Sequence, residues 1–416
     1  MKRLTAALLS ALLLTAPVSV KAQETAPAMP LFEASFLQGW LCRDWSSERW
    51  KQELLDMKAA GFRSVILQSC VDLTYEKTDA SAEKTDPQAY ALTAAYALYP
   101  TASVSGSAGA HALADALEAA RQTGMQVWIG TVSDSRWWNY GWGVPDAGFS
   151  AWSAENAAVC GNLVREVTAQ YGAEYDAQIA GFYYNNEIWN FDAACAGTDG
   201  GQTAEIVAGN LRGTLDAMTA VCPEKPLLIS PFFNRDLSAA AAYADFWEQL
   251  ADRAALRPAD IVAQQDGAGR AYDTDTLTEW ASALKSALRD RVTFWVNNET
   301  FRADAALPAA GLKADFLATA CAKRHILFSW NHYYHAADNA EKLPYERDFA
   351  KLLTVTAGDV NDDGACTAED AAMLLSWLRR DRIYLRNWAA GDPDGSGSLT
   401  AVDLALLMRN SGRGIA

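Results

Sequence analysis

Two glutamates, each preceded by a pair of asparagines, carry the clearest chemical signal in this chain: Asn185-Asn186-Glu187 and Asn297-Asn298-Glu299. Two carboxyl groups held in different protonation states can cleave an acetal. One protonates the leaving oxygen, and the other attacks the anomeric carbon or activates water. Burial, nearby aromatics and mutual repulsion push the pKa values of such a pair apart. Asp266, and behind it Asp134, are the reserve carboxylates. The competing role for each glutamate is a buried ion pair, and Arg302 stands three residues beyond Glu299.

A second constellation is built for a cation. Asp359, Asn361, Asp363, Ala365, Thr367 and Asp370 fall at positions 1, 3, 5, 7, 9 and 12 of one loop. Asp392, Asp394, Ser396, Ser398, Thr400 and Asp403 repeat the pattern 33 residues later. Side-chain oxygens at positions 1, 3, 5, 9 and 12, a turn glycine at 6 and a backbone carbonyl at 7 suit Ca2+. Two calcium sites are expected, the second weaker because Ser396 replaces a carboxylate, and no cofactor is expected for catalysis. An apolar run follows each loop, so each opens a helix.

The elements that position the two glutamates read as eight strand–helix units over residues 31–357. Near-continuous apolar runs place strands at Phe32–Trp40, Arg63–Ser69, Gln126–Val132, Ile179–Ile188, Lys225–Asn234, Asp260–Gly269, Arg291–Phe301 and His325–Tyr334. Such runs suit parallel strands buried on both faces. Helical stretches fall between them, the first capped by Ser47 and closed near Gly61, later ones near 109–123, 153–171, 202–220, 238–254, 276–289, 311–323 and 340–355. The count and length predict an α/β fold, a (β/α)8 barrel followed by a small all-α calcium module at 358–416. An open doubly wound sheet is the competitor, but no G-x-G-x-x-G follows the first strand. The connection near 70–108 is long enough to be functional or disordered.

Chemistry in a barrel belongs at the C-terminal strand ends, where Trp40, Gln68, Trp128, Asn186, Asn298, Trp330 and His332 join the glutamates as candidate substrate contacts. Trp128 and Trp330 are the expected partners of the sugar ring next to the bond. Trp137 and Trp138 open an aromatic-rich loop whose rings either stack on a pyranose or form a small core. His332 and His335 lack a carboxylate or cysteine at ligand spacing, so a hydroxyl contact or ordinary packing outweighs a metal.

Composition narrows the partners. Residues 1–22 have a basic start, an apolar stretch and a small-x-small end, as a removed secretory signal does. Its loss takes away three basic groups and moves the formal charge from −16 to −19. So acidic a chain disfavours nucleic acid and anionic membranes and suits a neutral polysaccharide. No later segment is apolar enough for a membrane span, and a secreted, extracellular or cell-surface location is expected. Seven scattered cysteines read mainly as buried apolar residues, with a Cys42–Cys70 disulfide left open.

Two resemblances add to these readings. The duplicated Asp-terminated loop-plus-helix over 358–410 resembles a type I dockerin. The resemblance implies binding to a cohesin module of a scaffold protein in a cellulosome-like complex, with contacts near Ala368, Glu369, Ala401 and Val402. A Glu after Asn on strand four and a Glu ending strand seven resemble the clan A retaining glycoside hydrolases, which implies Glu187 as acid/base and Glu299 as nucleophile. Gln68 stands where that clan has Arg, and Gln264 and Gln265 where it has an aromatic. Ser35-Phe-Leu-Gln-Gly-Trp40, Trp50, Leu54, Met57-Lys58, Gly61 and Val65-Ile-Leu-Gln68 resemble a family of bacterial secreted barrels of unknown function. The expectation is a secreted hydrolase of plant polysaccharide or oligosaccharide; the alternative is a noncatalytic carbohydrate-binding barrel on the same scaffold.

Overall fold

The computed structural model describes residues 32–79, 86, 89–140, 146–190, 201–303, 305–330, 356–361, 365–379, 389–396 and 398–411. The expected signal, the helix near 340–355, His332, His335 and Asp363 lie outside them.

The strands are β1 (Ala34–Leu37), β2 (Ser64–Leu67), β3 (Val71–Lys77), β4 (Tyr90–Ala97), β5 (Gln126–Gly130), β6 (Val132–Asp134), β7 (Ile179–Tyr184), β8 (Leu227–Ile229), β9 (Ile261–Gln265), β10 (Thr293–Glu299), β11 (Phe301–Arg302), β12 (Ala305–Ala306) and β13 (His325–Phe328). Eight of them close a parallel barrel in the order β1-β13-β10-β9-β8-β7-β5-β2. All eight expected strands are in it, each shorter than its apolar run, because the polar residues beyond each strand belong to the rim.

Alternation within the strands divides the core in two. Ala34, Phe36, Ile66, Trp128, Tyr183, Leu228, Ile261, Ala263, Trp295 and Ile326 fill the barrel interior. The intervening residues, among them Leu37, Val65, Val127, Phe182, Leu227, Val262, Val296 and Leu327, pack outward against helices. Trp128 crosses the interior, its indole N–H donating to Ser64 Oγ at 3.3 Å. Gly181 makes room for it: a Cβ there would lie 2.6 Å from Trp128 Cζ3 and 2.3 Å from the Pro226 carbonyl. The seam between first and last strands is held by the Glu33–Arg324 ion pair at 2.6 Å and by Ser35 Oγ donating to the Leu327 carbonyl at 2.7 Å.

The outer helices carry their own signals. The helix Ser47–Ala59 is capped by Ser46, which accepts from Arg49 N, one residue earlier than expected; Ser47 instead donates to Asp115 at 2.8 Å. Asp146 caps Ala147–Tyr175 and Asp273 caps Thr274–Leu288. Within the long connection after β2, β3 pairs antiparallel with β4 and parallel with β6. Cys42 and Cys70 are free buried thiols, with burial raising both pKa values, so the disulfide left open by the sequence is not formed.

At the C-terminal end, helices Ala368–Leu378 and Ala401–Ser411 pack around Val360, Leu374, Leu399 and Leu407, and Ala320 of the barrel joins that cluster. Gly181→Ala is expected to destabilise the barrel by roughly 1–3 kcal/mol through overpacking. Gly109→Ala, with nothing within 4 Å of its Cβ, is the neutral comparison. Paired thermal melts read the difference.

Candidate active site at the barrel mouth

Glu187 lies three residues beyond β7 and Glu299 ends β10. Both continue the inward phase of their strands, set by Tyr183 on one and by Trp295 and Asn297 on the other. Between them the neighbouring strands supply a polar belt. Gln265 of β9 donates to Glu187 Oε1 at 3.4 Å and to the Ser230 carbonyl at 3.3 Å. Asn297 of β10 donates to Ser230 Oγ at 2.9 Å, while its side-chain Oδ1 is buried without a hydrogen-bond partner. Beneath lie Tyr183 and Phe36, rings 5.1 Å apart, and beside them Phe328 and Phe301.

Neither glutamate forms an ion pair among the described residues. Arg302 is engaged by Asp315 at 3.1 Å instead. Glu299 Oε2 accepts from Gly269 N at 2.7 Å, and Gly269 has to be glycine there, since a Cβ would stand 2.5 Å from Phe301 and 3.1 Å from Glu299 Oε1. Burial lifts Glu187 to about 7, partly offset by the Gln265 amide and reinforced by the charge of Glu299. Burial also lifts Glu299 to about 7, against the lowering effect of the Gly269 N–H.

Several sequence expectations need correction, and strand parity explains two of them. Asn186 points away from the mouth into a buried network, donating to Asn156 Oδ1 at 2.9 Å and to Tyr184 Oη at 3.2 Å. Asn298 also points outward, donating to Asp266 Oδ2 at 2.8 Å. Asn297 is the residue in phase with Glu299. Trp128 is barrel core. Trp330 is 1% exposed and turns outward, its N–H 2.6 Å from Glu53 Oε1 and its ring edge-on to Phe62. Trp137 is 4% exposed and packs on Trp152 at 5.5 Å. Asp134 is held by Arg136 at 2.7 Å and by Trp152 Nε1 at 3.1 Å, which removes it as a reserve acid.

Trp138 remains at the surface, 50% exposed, 6.4 Å from Phe232. Phe232 in turn stacks on Trp189 at 5.3 Å and 12°. Asn190 fixes this ledge by joining the loops after β7 and β8: it donates to the Asn234 carbonyl at 2.7 Å and accepts from Asn234 N at 2.8 Å. Trp40 is 56% exposed on the helix after β1, and Gln68 is half-buried at the end of β2. Sequence reasoning missed Ser230, Trp189 and Phe232. The last two were signalled only by their places just past strands four and five.

In the second calcium-type loop, one oxygen each of Asp392, Asp394 and Asp403 lies within 4.8 Å of the others. Asp403 Oδ2 accepts from Thr400 N at 2.7 Å, but its Oδ1 is buried with no hydrogen-bond partner. A bare buried carboxylate oxygen facing two other acids fits a hard cation. In the first loop Asp370 is likewise buried, accepting from Val360 N at 2.8 Å and Thr367 N at 2.7 Å.

The fold and the loop pair together define a (β/α)8-barrel protein with a C-terminal dockerin. Residues 33–341 match the family described as a domain of unknown function, DUF4434, and residues 357–410 match the dockerin type I domain. The chain belongs to the DUF4434 family. Among solved structures, a candidate alpha-L-fucosidase from Bacteroides thetaiotaomicron is similar, with a TM-score of 0.58 and 16% identity over 85% of this chain and 99% of that one. An endo-1,4-beta-mannanase from Rhizomucor miehei aligns with a TM-score of 0.47 and 12% identity over 78% and 95%. At these identities the likeness concerns the fold. No curated protein matches the chain.

The two mouth carboxyls carry a stability signature. Each titrates near 7 in the fold against an ordinary 4.5, so its contribution is full below 4.5 and is lost as pH rises through 7. Glu187→Gln and Glu299→Gln should therefore raise the melting temperature relative to wild type, with a larger gain near pH 8 than near pH 5. Thermal melts across that range check it.

Proposed function

We propose that the barrel is a glycoside hydrolase and that its dockerin attaches it to a cohesin-bearing scaffold. The observation that carries the reading is the pair of inward, burial-raised glutamates, without basic partners among the described residues, at the ends of strands four and seven. Glu187, held only by a long contact from a neutral amide, keeps its proton and serves as general acid. Glu299 faces the Gly269 N–H, which favours the ionised form, and serves as nucleophile or base. The resemblance to clan A supports the nucleophile role and hence retention at the anomeric carbon.

Hydrolysis by this pair proceeds as Glu187 transfers its proton to the glycosidic oxygen while Glu299 attacks the anomeric carbon. Water then releases the sugar from Glu299, with Glu187 taking up the proton. The buried Asn297 side-chain Oδ1 accepts a substrate hydroxyl. Trp138, Phe232 and Trp189 present ring faces to the C–H face of a sugar, with Trp40 and Gln68 contributing from the opposite rim. The net negative charge of the chain suits a neutral plant polysaccharide or oligosaccharide.

In the dockerin, Asp392, Asp394, Ser396, Ser398, Thr400 and Asp403 would hold one Ca2+, and Asp359, Asn361, Asp363, Ala365, Thr367 and Asp370 another. The ion would neutralise the clustered carboxylates and set the start of each helix. Ala368, Glu369, Ala401 and Val402, exposed at those starts, would meet cohesin. Secretion accords with both modules.

A glycan panel tests the catalytic reading: wild type should release sugar, and Glu187→Gln or Glu299→Gln should each lower the rate at least about 10²-fold without loss of folding. Binding with no cleavage on any glycan would make the barrel a noncatalytic carbohydrate module. For the dockerin, calorimetry should give two Ca2+ per chain, and Asp403→Ala should remove one of them.

A further inference from the structure

Directly behind Glu299 lies a second buried acid that the catalytic scheme does not use. Asp266 follows β9 and is 2% exposed. Its Oδ1 accepts from Ala268 N at 2.9 Å and lies 3.5 Å from Glu299 N, and its Oδ2 accepts from Asn298 Nδ2 at 2.8 Å. The Asp266 carboxyl thus sits against the backbone of Glu299, and both acids are buried, at 2% and 7% exposure. Two buried carboxyl groups this close, with no cation between them, favour sharing a single negative charge.

Among the described residues, no free cation stands close enough to compensate two anions. Asp315, on the helix Ala309–Ala318, adds a third acid, and the Arg302 guanidinium on β11 is committed to it at 3.1 Å. His325 of β13 approaches through Asn298 Oδ1 at 2.7 Å, with Nε2 buried and unpartnered, and burial lowers its pKa to about 3. It is therefore neutral at any pH of interest. Glu187, across the mouth, adds only repulsion. Burial first, then the charges of Glu299 and Asp315, raise Asp266 well above the ordinary carboxylate range, outweighing the Ala268 and Asn298 donors.

We propose that Asp266 is a positioning residue for Glu299: it keeps a proton at neutral pH and donates it in a hydrogen bond to the Glu299 carboxylate, so the buried pair carries one negative charge. This deepens the hydrolase reading and rests on it for the role of Glu299. The neutral acid takes the supporting place behind Glu299, with its own orientation fixed by Asn298 and by the Gly267–Gly269 turn. Glu299 is thereby kept ionised despite its burial, which the attacking group requires.

The test needs no substrate, so its outcome is separate from that of the glycan panel. The full chain, labelled with 13C at aspartate side-chain carboxyls, is titrated by NMR, and Asp266→Asn identifies the resonance. At pH 7 Asp266 should still show the shift of a neutral acid, and Glu299→Gln should lower its midpoint by roughly one pH unit, tenfold in proton affinity. With glutamate labelling, Asp266→Ala should raise the Glu299 midpoint and Asp266→Asn, whose amide keeps a donor, should not. If Asp266→Asn does not fold, the resonance is identified by its displacement in Glu299→Gln. An Asp266 that ionises with the surface aspartates, or a midpoint indifferent to Glu299, overturns the proposal even if the enzyme cleaves glycans. A protonated Asp266 in a protein that cleaves nothing leaves this pair standing and removes the hydrolase.

Discussion

The mouth of this barrel depends on one constraint: carboxylates must sit above an aromatic interior that, among the described residues, offers them no cation. Tyr183, Phe36, Trp128 and Trp295 fill the space beneath Glu187 and Glu299 with aromatic surface. The arginine near the site is taken by another acid. Charge there is eased by backbone N–H groups and neutral amides, and the rim supplies both: Gly269 to Glu299 and Gln265 to Glu187. Burial energy that works against folding at neutral pH is thereby converted into raised carboxyl pKa values.

The rest of the architecture serves that arrangement. Closure through β1 and β13 places the ends of β7 and β10 around a single rim, so two residues 112 positions apart in sequence share one electrostatic environment. The glycine at 181 leaves room for the Trp128 indole to cross the barrel interior towards Ser64. Glycine at 269 lets a turn press its N–H onto Glu299. At the other end of the chain, the dockerin solves the same problem differently: Asp392, Asp394 and Asp403 bring one oxygen each within 4.8 Å of the others, and there a divalent cation is the natural counter-charge.

The barrel was legible because parallel strands covered on both faces must be apolar throughout, and eight such runs alternated with helical periods. The glutamates were legible because strand ends are where rim residues stand. What failed was resolution finer than the strand. An Asn-Asn-Glu run names three residues at a rim, but the middle one turns outward, so Asn186 pairs with Asn156 on a helix and Asn298 with Asp266 past β9, while Asn297 faces the site. Trp330, past the end of β13, does not follow that strand's alternation, because the buried Glu53 carboxylate captures its N–H. The ledge of Trp189 and Phe232 was hidden for another reason: it exists only because two loops, far apart in sequence, are joined through Asn190 and Asn234.

The central claim is that Glu187 and Glu299 share one poorly solvated field, and glutamate-labelled NMR titration of the intact chain measures that field most directly. Two side-chain carboxyls should titrate near neutrality while the exposed glutamates titrate in the ordinary acid range. Glu299→Gln should abolish one of the two and move the Glu187 midpoint downward, since a negative neighbour has gone. If all glutamates titrate together in the acid range, or if the Glu187 midpoint is unmoved by that substitution, the account is contradicted.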